Sequence, residues 1–93
     1  MTQTTIIRRE LRFHGRVQGA GFRMTTRAVA TRYDVRGWVR NEPDGTVACV
    51  AEGPRDEIDR FQADVEAAMG GISRTECSDG PAQGESEGFT IQF

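Results

Sequence analysis

The apolar residues of this chain change their spacing from two to near four and back, twice in the same order, and that alternation restricts the fold more than any single motif. Ile7, Leu11 and Phe13 share one parity while Arg8, Glu10, Arg12 and His14 share the other, the mark of a half-buried strand. Arg9 breaks the pattern, so that end reads as a rim. Phe22, Thr26, Val29 and Tyr33 recur at i, i+4, i+7 and i+11, which predicts a helix from about Phe22 to Tyr33. Alternation returns from Val35 to Asn41. The turn Glu42-Pro43-Asp44-Gly45 then reverses the chain, and the run TVACVAEG completes a hairpin. Pro54 suits the first position of a second helix, with Asp56 and Glu57 in its first turn, Ile58, Phe61, Val65 and Met69 as its buried stripe, and Gly70-Gly71 as its end. A fourth strand is predicted from about Ile72 to Cys77, an exposed loop through SDGPAQGESEG, and a last strand in FTIQF.

Strand, helix, strand, strand, helix, strand, with a short strand to finish, is the order of a split βαβ unit. It predicts an α+β two-layer sandwich of the ferredoxin-like kind, an antiparallel sheet with two helices on one face. A length of 93 residues with 37% hydrophobic and 28% charged content suits one domain over residues 1–93, without linker or internal repeat. No run approaches the roughly 18 apolar residues of a membrane span, and MTQTTIIRRE reaches charge too early for a signal peptide, so a cytoplasmic monomer away from membranes is expected. Cys49 and Cys77 form no CxxC pair and are expected to be reduced and buried or half-buried. A net charge of −2 argues against nucleic acid as a partner. Arg8, Arg9 and Arg12 read as a solvated face, His14 as a solvated strand residue, and Trp38 as a cover for the open face of the sheet.

The stretch HGRVQGAGFR concentrates three glycines and two arginines between the first strand and the first helix. Backbone N–H groups in such a turn, followed at once by a helix N-terminus, make a concave anion site. Spacing alone leaves a second reading open, a tight connection whose glycines only satisfy geometry. No GK[ST] follows, so it is not a P-loop, and a dinucleotide fingerprint would need a further glycine. The single His and the scatter of carboxylates offer no metal-ligand set.

Taken together, HGRVQGAGFRM and GWVRNEPDGTV resemble the two signatures of the acylphosphatase family, separated here as there by one helix. The likeness extends more loosely through EGPRDEIDRF to GFTIQF, while the segment Ser73–Gly88 matches poorly. The resemblance implies a ferredoxin-like fold and hydrolysis of the carboxyl–phosphate anhydride of acyl phosphates without metal or cofactor, with inorganic phosphate as product and inhibitor. It makes Arg23 the phosphate-binding arginine and Asn41 the holder of the attacking water, both catalytic, and has the loop Arg16, Val17, Gln18, Gly19, Ala20, Gly21 and Phe22 offer backbone amides to the phosphoryl oxygens. Ala20 stands where the family commonly has valine, a loss of methyls that would loosen the loop without removing a donor. Asn41 shares parity with Val35 and Val39, which turns it toward the helix-covered face. The runner-up reading is a regulatory, non-catalytic acylphosphatase-like binding domain. An RNA-binding ferredoxin-like module is disfavoured by the charge and by central strands without paired aromatics.

Overall fold

The computed structural model describes residues 5–93. Five strands and two helices follow one another as β1 (Ile6–Gly15), α1 (Ala20–Ala30), β2 (Arg36–Asn41), β3 (Val47–Pro54), α2 (Arg55–Ala68), β4 (Ile72–Pro81) and β5 (Phe89–Gln92). The sheet order is β4-β1-β3-β2-β5. Both helices cover one face, where Leu11, Phe13, Phe22, Val29, Val39, Val47, Ile58, Phe61 and Val65 form the core. The predicted two-layer, ferredoxin-like arrangement is therefore present.

The helix stripe runs past the helix itself. α1 ends at Ala30, but Thr31, Arg32 and Tyr33 donate their amides three residues back, to Ala28, Val29 and Ala30 at 3.3, 3.0 and 3.2 Å, so the tightened turn carries Tyr33 onto the core. Pro54 pairs with Ile6 at the end of β3 and serves as the N-cap of α2 with φ −60° and ψ 140°, so the helix begins at Arg55, one position later than expected. Its fixed φ serves both roles.

The sheet departs from expectation in being mixed. β4, β1, β3 and β2 pair antiparallel, but β5 runs parallel to β2, with Trp38 opposite Thr90 and Val39 opposite Ile91. The cause is the route of the chain. β4 ends beside the start of β1, the following residues cross that end of the sheet, and Gly37 donates to the Gly88 carbonyl at 3.1 Å as β5 begins. A chain that crosses the whole end of a sheet re-enters reversed relative to β4, hence parallel to β1 and β2. β4 is also longer than predicted, reaching Pro81, because it pairs with β1 as far as Ile7 although its exposed edge position leaves no apolar alternation to read.

Arg9 is the second correction. It lies on the core-facing parity of β1 and is only 7% exposed, neither a rim nor a solvated face. Its guanidinium donates to both Asp79 carboxylate oxygens at 2.6 and 2.9 Å, to Asp59 at 2.7 Å and to Gln62 at 3.2 Å. Residues far apart in sequence supply those acceptors, so the alternation could not foretell them. Arg8 and Arg12 do lie on the opposite face, half-buried in ion pairs. His14 meets Glu76 there, and Arg40 stacks on Trp38 with its guanidinium carbon 4.6 Å from the ring centroid. Both cysteines are free, and burial pushes the Cys49 thiol up from its ordinary pKa; Cys77 is exposed, since β4 is an uncovered edge.

Candidate active site

The end of the sheet formed by the close of β1, the close of β2 and the opening of β3 gathers the residues singled out from sequence. Val47 faces Phe13 on one side and Asn41 on the other, so these three share one row and one face, the face under the helices. Phe22 lays its ring against Phe13 with centroids 5.3 Å apart. That contact sets the first turn of α1 over the same row, and Arg23 follows Phe22 directly. The buried Thr26 hydroxyl donates to the Phe22 carbonyl at 2.9 Å and tightens the turn above.

The loop between β1 and α1 is held at its base and leaves its upper amides open. The Arg16 amide donates to the Gly71 carbonyl at 2.9 Å, which removes it from the donors an anion could meet. A Cβ on Gly15, whose φ is +118°, would lie 2.3 Å from that same carbonyl, so only glycine admits this approach. Val17 buries its side chain in the core and can offer a ligand only its backbone. Gly19 caps α1 with φ +140° and no side-chain hydrogen bond. Among the described residues, none of the amides from Val17 to Phe22 donates to a backbone or side-chain acceptor, and the positive end of the helix dipole lies behind those of Ala20, Gly21 and Phe22. Gly21 has ordinary helical backbone, and a Cβ there would meet nothing within 4 Å. Ala20 is exposed, so its smallness leaves no void in the core.

Two buried polar side-chain atoms lack a hydrogen-bond partner among the described residues: Arg23 Nε and Asn41 Oδ1. Leaving such groups unsatisfied costs about 1–3 kcal/mol each. One is a donor and the other an acceptor, on the two elements that meet at this end of the sheet. Between them they can hold an oxyanion and a water. The turn after Asn41 is stiff: Asp44 Oδ1 accepts from the Thr46 hydroxyl at 2.6 Å and the Thr46 amide at 3.0 Å, bonds that hold the Asp44 carboxyl below its usual range.

Sequence reasoning missed two neighbours. The Arg23 guanidinium carbon lies 4.9 Å from the Phe93 ring centroid. The signal was available, since Phe89 and Ile91 pack on the core and Phe93 continues their parity. The second is the side chain of Gln18, which donates to the carbonyls of Glu42 and Thr46; an exposed glutamine gives no sequence signal. A separate groove of about 400 Å³ opens on the other face of the sheet, beside Arg12, Trp38, Arg40 and Glu76. Its cations are already paired, Arg12 with Asp44 and Arg40 with Glu42, which leaves less for an anion to gain there.

A family model described as Acylphosphatase matches residues 9–91. A curated relative of that name from Nitratidesulfovibrio vulgaris (strain DP4) is 53% identical over 62 residues, 67% of this chain and 58% of that protein. Another from Cupriavidus necator is 40% identical over 79 residues, 85% of this chain and 86% of that protein. The chain thus spans less than two thirds of the first relative and most of the second. The crystal structure of acylphosphatase from Bacillus subtilis superposes with a TM-score of 0.86 at 28% identity, covering 94% of this chain and 99% of that one.

Proposed function

The chain belongs to the acylphosphatase family, and from that premise we propose that it is a metal-independent acylphosphatase that hydrolyses acyl phosphates to a carboxylate and inorganic phosphate. The observation that carries the reading is the pair of buried, unpartnered atoms, Arg23 Nε and Asn41 Oδ1, beside the open amides of Val17 to Phe22. Folding left these groups unsatisfied, and a phosphoryl group with its attacking water supplies the missing partners.

In this reading the amides and the Arg23 guanidinium hold the phosphoryl oxygens, and Arg23 contributes more as charge spreads in the transition state. Asn41 Oδ1 accepts a hydrogen bond from the water and aims its oxygen at phosphorus. The water oxygen bonds to phosphorus as the bond from phosphorus to the acyl oxygen breaks, and the carboxylate leaves with that electron pair. A carboxylate is a good leaving group and needs no general acid. An amide is a poor base, so the water's proton passes to the bound phosphate or to solvent. The mechanism asks for no metal, and among the described residues no three His, Cys, Asp or Glu side chains form a group that could hold one. Inorganic phosphate, as product, occupies the same loop and inhibits competitively. We place the activity in a single domain, a cytoplasmic monomer with neither nucleic acid nor membrane as partner; no helix among the described residues is long and apolar enough to cross a membrane.

The test is turnover of an aromatic acyl phosphate by the purified chain in excess chelator, with melting followed as inorganic phosphate is added. Hydrolysis that survives chelation, with competitive phosphate inhibition and a phosphate-raised Tm, is expected; ligand at 100 times its Kd raises stability by about 2.7 kcal/mol. Phosphate-raised melting without turnover would instead identify the regulatory binding domain.

A further inference from the structure

Gln18 enters the reading above only through its backbone, yet its side chain has a different destination. Its Nε2 donates to the Thr46 carbonyl at 3.0 Å and also to the Glu42 carbonyl. Both neighbours are acceptors, so only the amide nitrogen can face them, and the orientation of the carboxamide is settled by chemistry. The same two carbonyls already close the hairpin turn: Glu42 donates to Thr46 at 2.9 Å, and Gly45 donates to Glu42 at 3.2 Å. Gln18 takes the remaining lone pair of each and grips a turn that is already formed. Glu42 is the residue next to Asn41.

We propose that Gln18 is a positioning residue whose carboxamide fixes the separation between the phosphate loop and the strand end that carries Asn41. The inference rests on the assignment of Arg23 and Asn41 to the site. The loop and Asn41 come from opposite sides of β3, and no covalent connection shorter than α1 joins them. The loop's other end is tied to Gly71 through the Arg16 amide, on the β4 side. Without the Gln18 bonds, hydrogen bonds would tie the loop on that side only. In-line attack needs the water oxygen within about 3–3.5 Å of phosphorus, and a 1 Å misplacement can cost 10²-fold. Holding an exposed glutamine in one rotamer costs up to about 2 kcal/mol of side-chain entropy, offset here by two bonds that span the site.

The experiment is a double-mutant cycle with Gln18→Met, which keeps the side chain's length and removes its donors, in the wild-type and Asn41→Ala backgrounds. In the wild-type background kcat should fall about tenfold, with the phosphate inhibition constant changed less than twofold. In the Asn41→Ala background the same substitution should leave kcat within about twofold, because the water it helped to align has already lost its holder. Equal losses in both backgrounds, an unchanged kcat in the wild type, or a parallel loss of phosphate affinity would each overturn the proposal. Wild-type kcat in Asn41→Ala alone would instead overturn the site assignment, a separate outcome. Gln18→Glu supplies a second test should the methionine variant fold poorly. Its carboxylate faces two carbonyls near pH 7 but regains a donor when protonated, so its kcat relative to wild type should rise between pH 7 and about 4.5; a flat ratio would overturn the proposal.

Discussion

Two buried polar assemblies lie at opposite ends of the same sheet, separated by five residues of β3, roughly 17 Å. At one end Glu52, 3% exposed, accepts from Arg8 at 3.0 Å and from the amides of Gln83, Gly84 and Glu85 at 2.7, 3.0 and 3.0 Å. At the other, Arg23 Nε and Asn41 Oδ1 have no partner, and the amides of the loop above β1 point to no acceptor among the described residues. The Glu52 end is complete within the chain and fastens the crossing that leads to β5. The Arg23 end is incomplete within the described residues, and under the proposed function a phosphoryl group and its water complete it. Burial alone does not mark a functional group; burial without a partner marks a group whose hydrogen bond must come from outside the chain.

The sharpest way to break this contrast is to measure activity and stability on variants from both ends. Arg23→Ala should lower kcat/KM on the order of 10³-fold, raising KM and lowering kcat together, and lysine should rescue poorly because a point charge lacks the planar fork. Asn41→Ala should lower kcat by about 10²-fold while phosphate inhibition stays nearly constant. Both should melt within a few degrees of wild type, since neither substitution deletes a side-chain bond made by the buried atom. A melting loss as deep as that of a Glu52 variant would erase the distinction.

Glu52→Ala should do the reverse. Loss of a buried, fully bonded carboxylate, with Arg8 still paired to Glu10 and Glu85, should cost about 2 kcal/mol, or about 8–16 °C in Tm for a domain of this size, with kcat at 25 °C within about twofold of wild type. A large drop in kcat without a change in Tm would show that the two ends are coupled.

The pH dependence of the same residue is a smaller, graded effect. Burial disfavours the Glu52 carboxylate, but the amides of Gln83 and Glu85, the Arg8 guanidinium and the Gly84 amide outweigh it, and the pKa falls from 4.5 to about 2. The unfolded chain therefore binds the proton first. The stability Glu52 contributes is full above about pH 4.5 and is lost as pH falls toward 2. The Tm gap between wild type and Glu52→Gln should narrow across that window; a gap independent of pH would contradict the assignment.

The smallest effect belongs to Phe93. Its ring stacks on Arg23 but is 98% exposed, which limits a cation–π contact to about 0.5–1 kcal/mol. Phe93→Ala should raise KM about two- to fivefold and leave Tm unchanged. A loss near that of Arg23→Ala would mean that the ring decides where the guanidinium lies.

Both helices, the turn at Glu42–Gly45 and the core-facing parity of Asn41 were legible because each depends on residues within one or two turns of the chain. Periodicity, Pro54 before the acidic pair Asp56 and Glu57, and Asp44 followed by Gly45 are local physics, and they yielded the two-layer fold. Arg23 and Asn41 were singled out through the resemblance of two short motifs, because spacing alone could not separate an anion site from a tight connection. The direction of β5, the burial of Arg9, the full length of β4 and the grip of Gln18 on the hairpin turn were decided only in three dimensions. Each depends on partners tens of residues away, such as Asp79 for Arg9 and Thr46 for Gln18. A strand's pattern records which of its faces is buried but not which neighbour it pairs with, and a polar side chain's pattern records nothing of the acceptor that awaits it. Local pattern was enough to set the elements and their inward faces; which buried polar groups found a partner within the chain and which did not was settled by folding in three dimensions, because hydrogen-bond partners are settled by proximity in space.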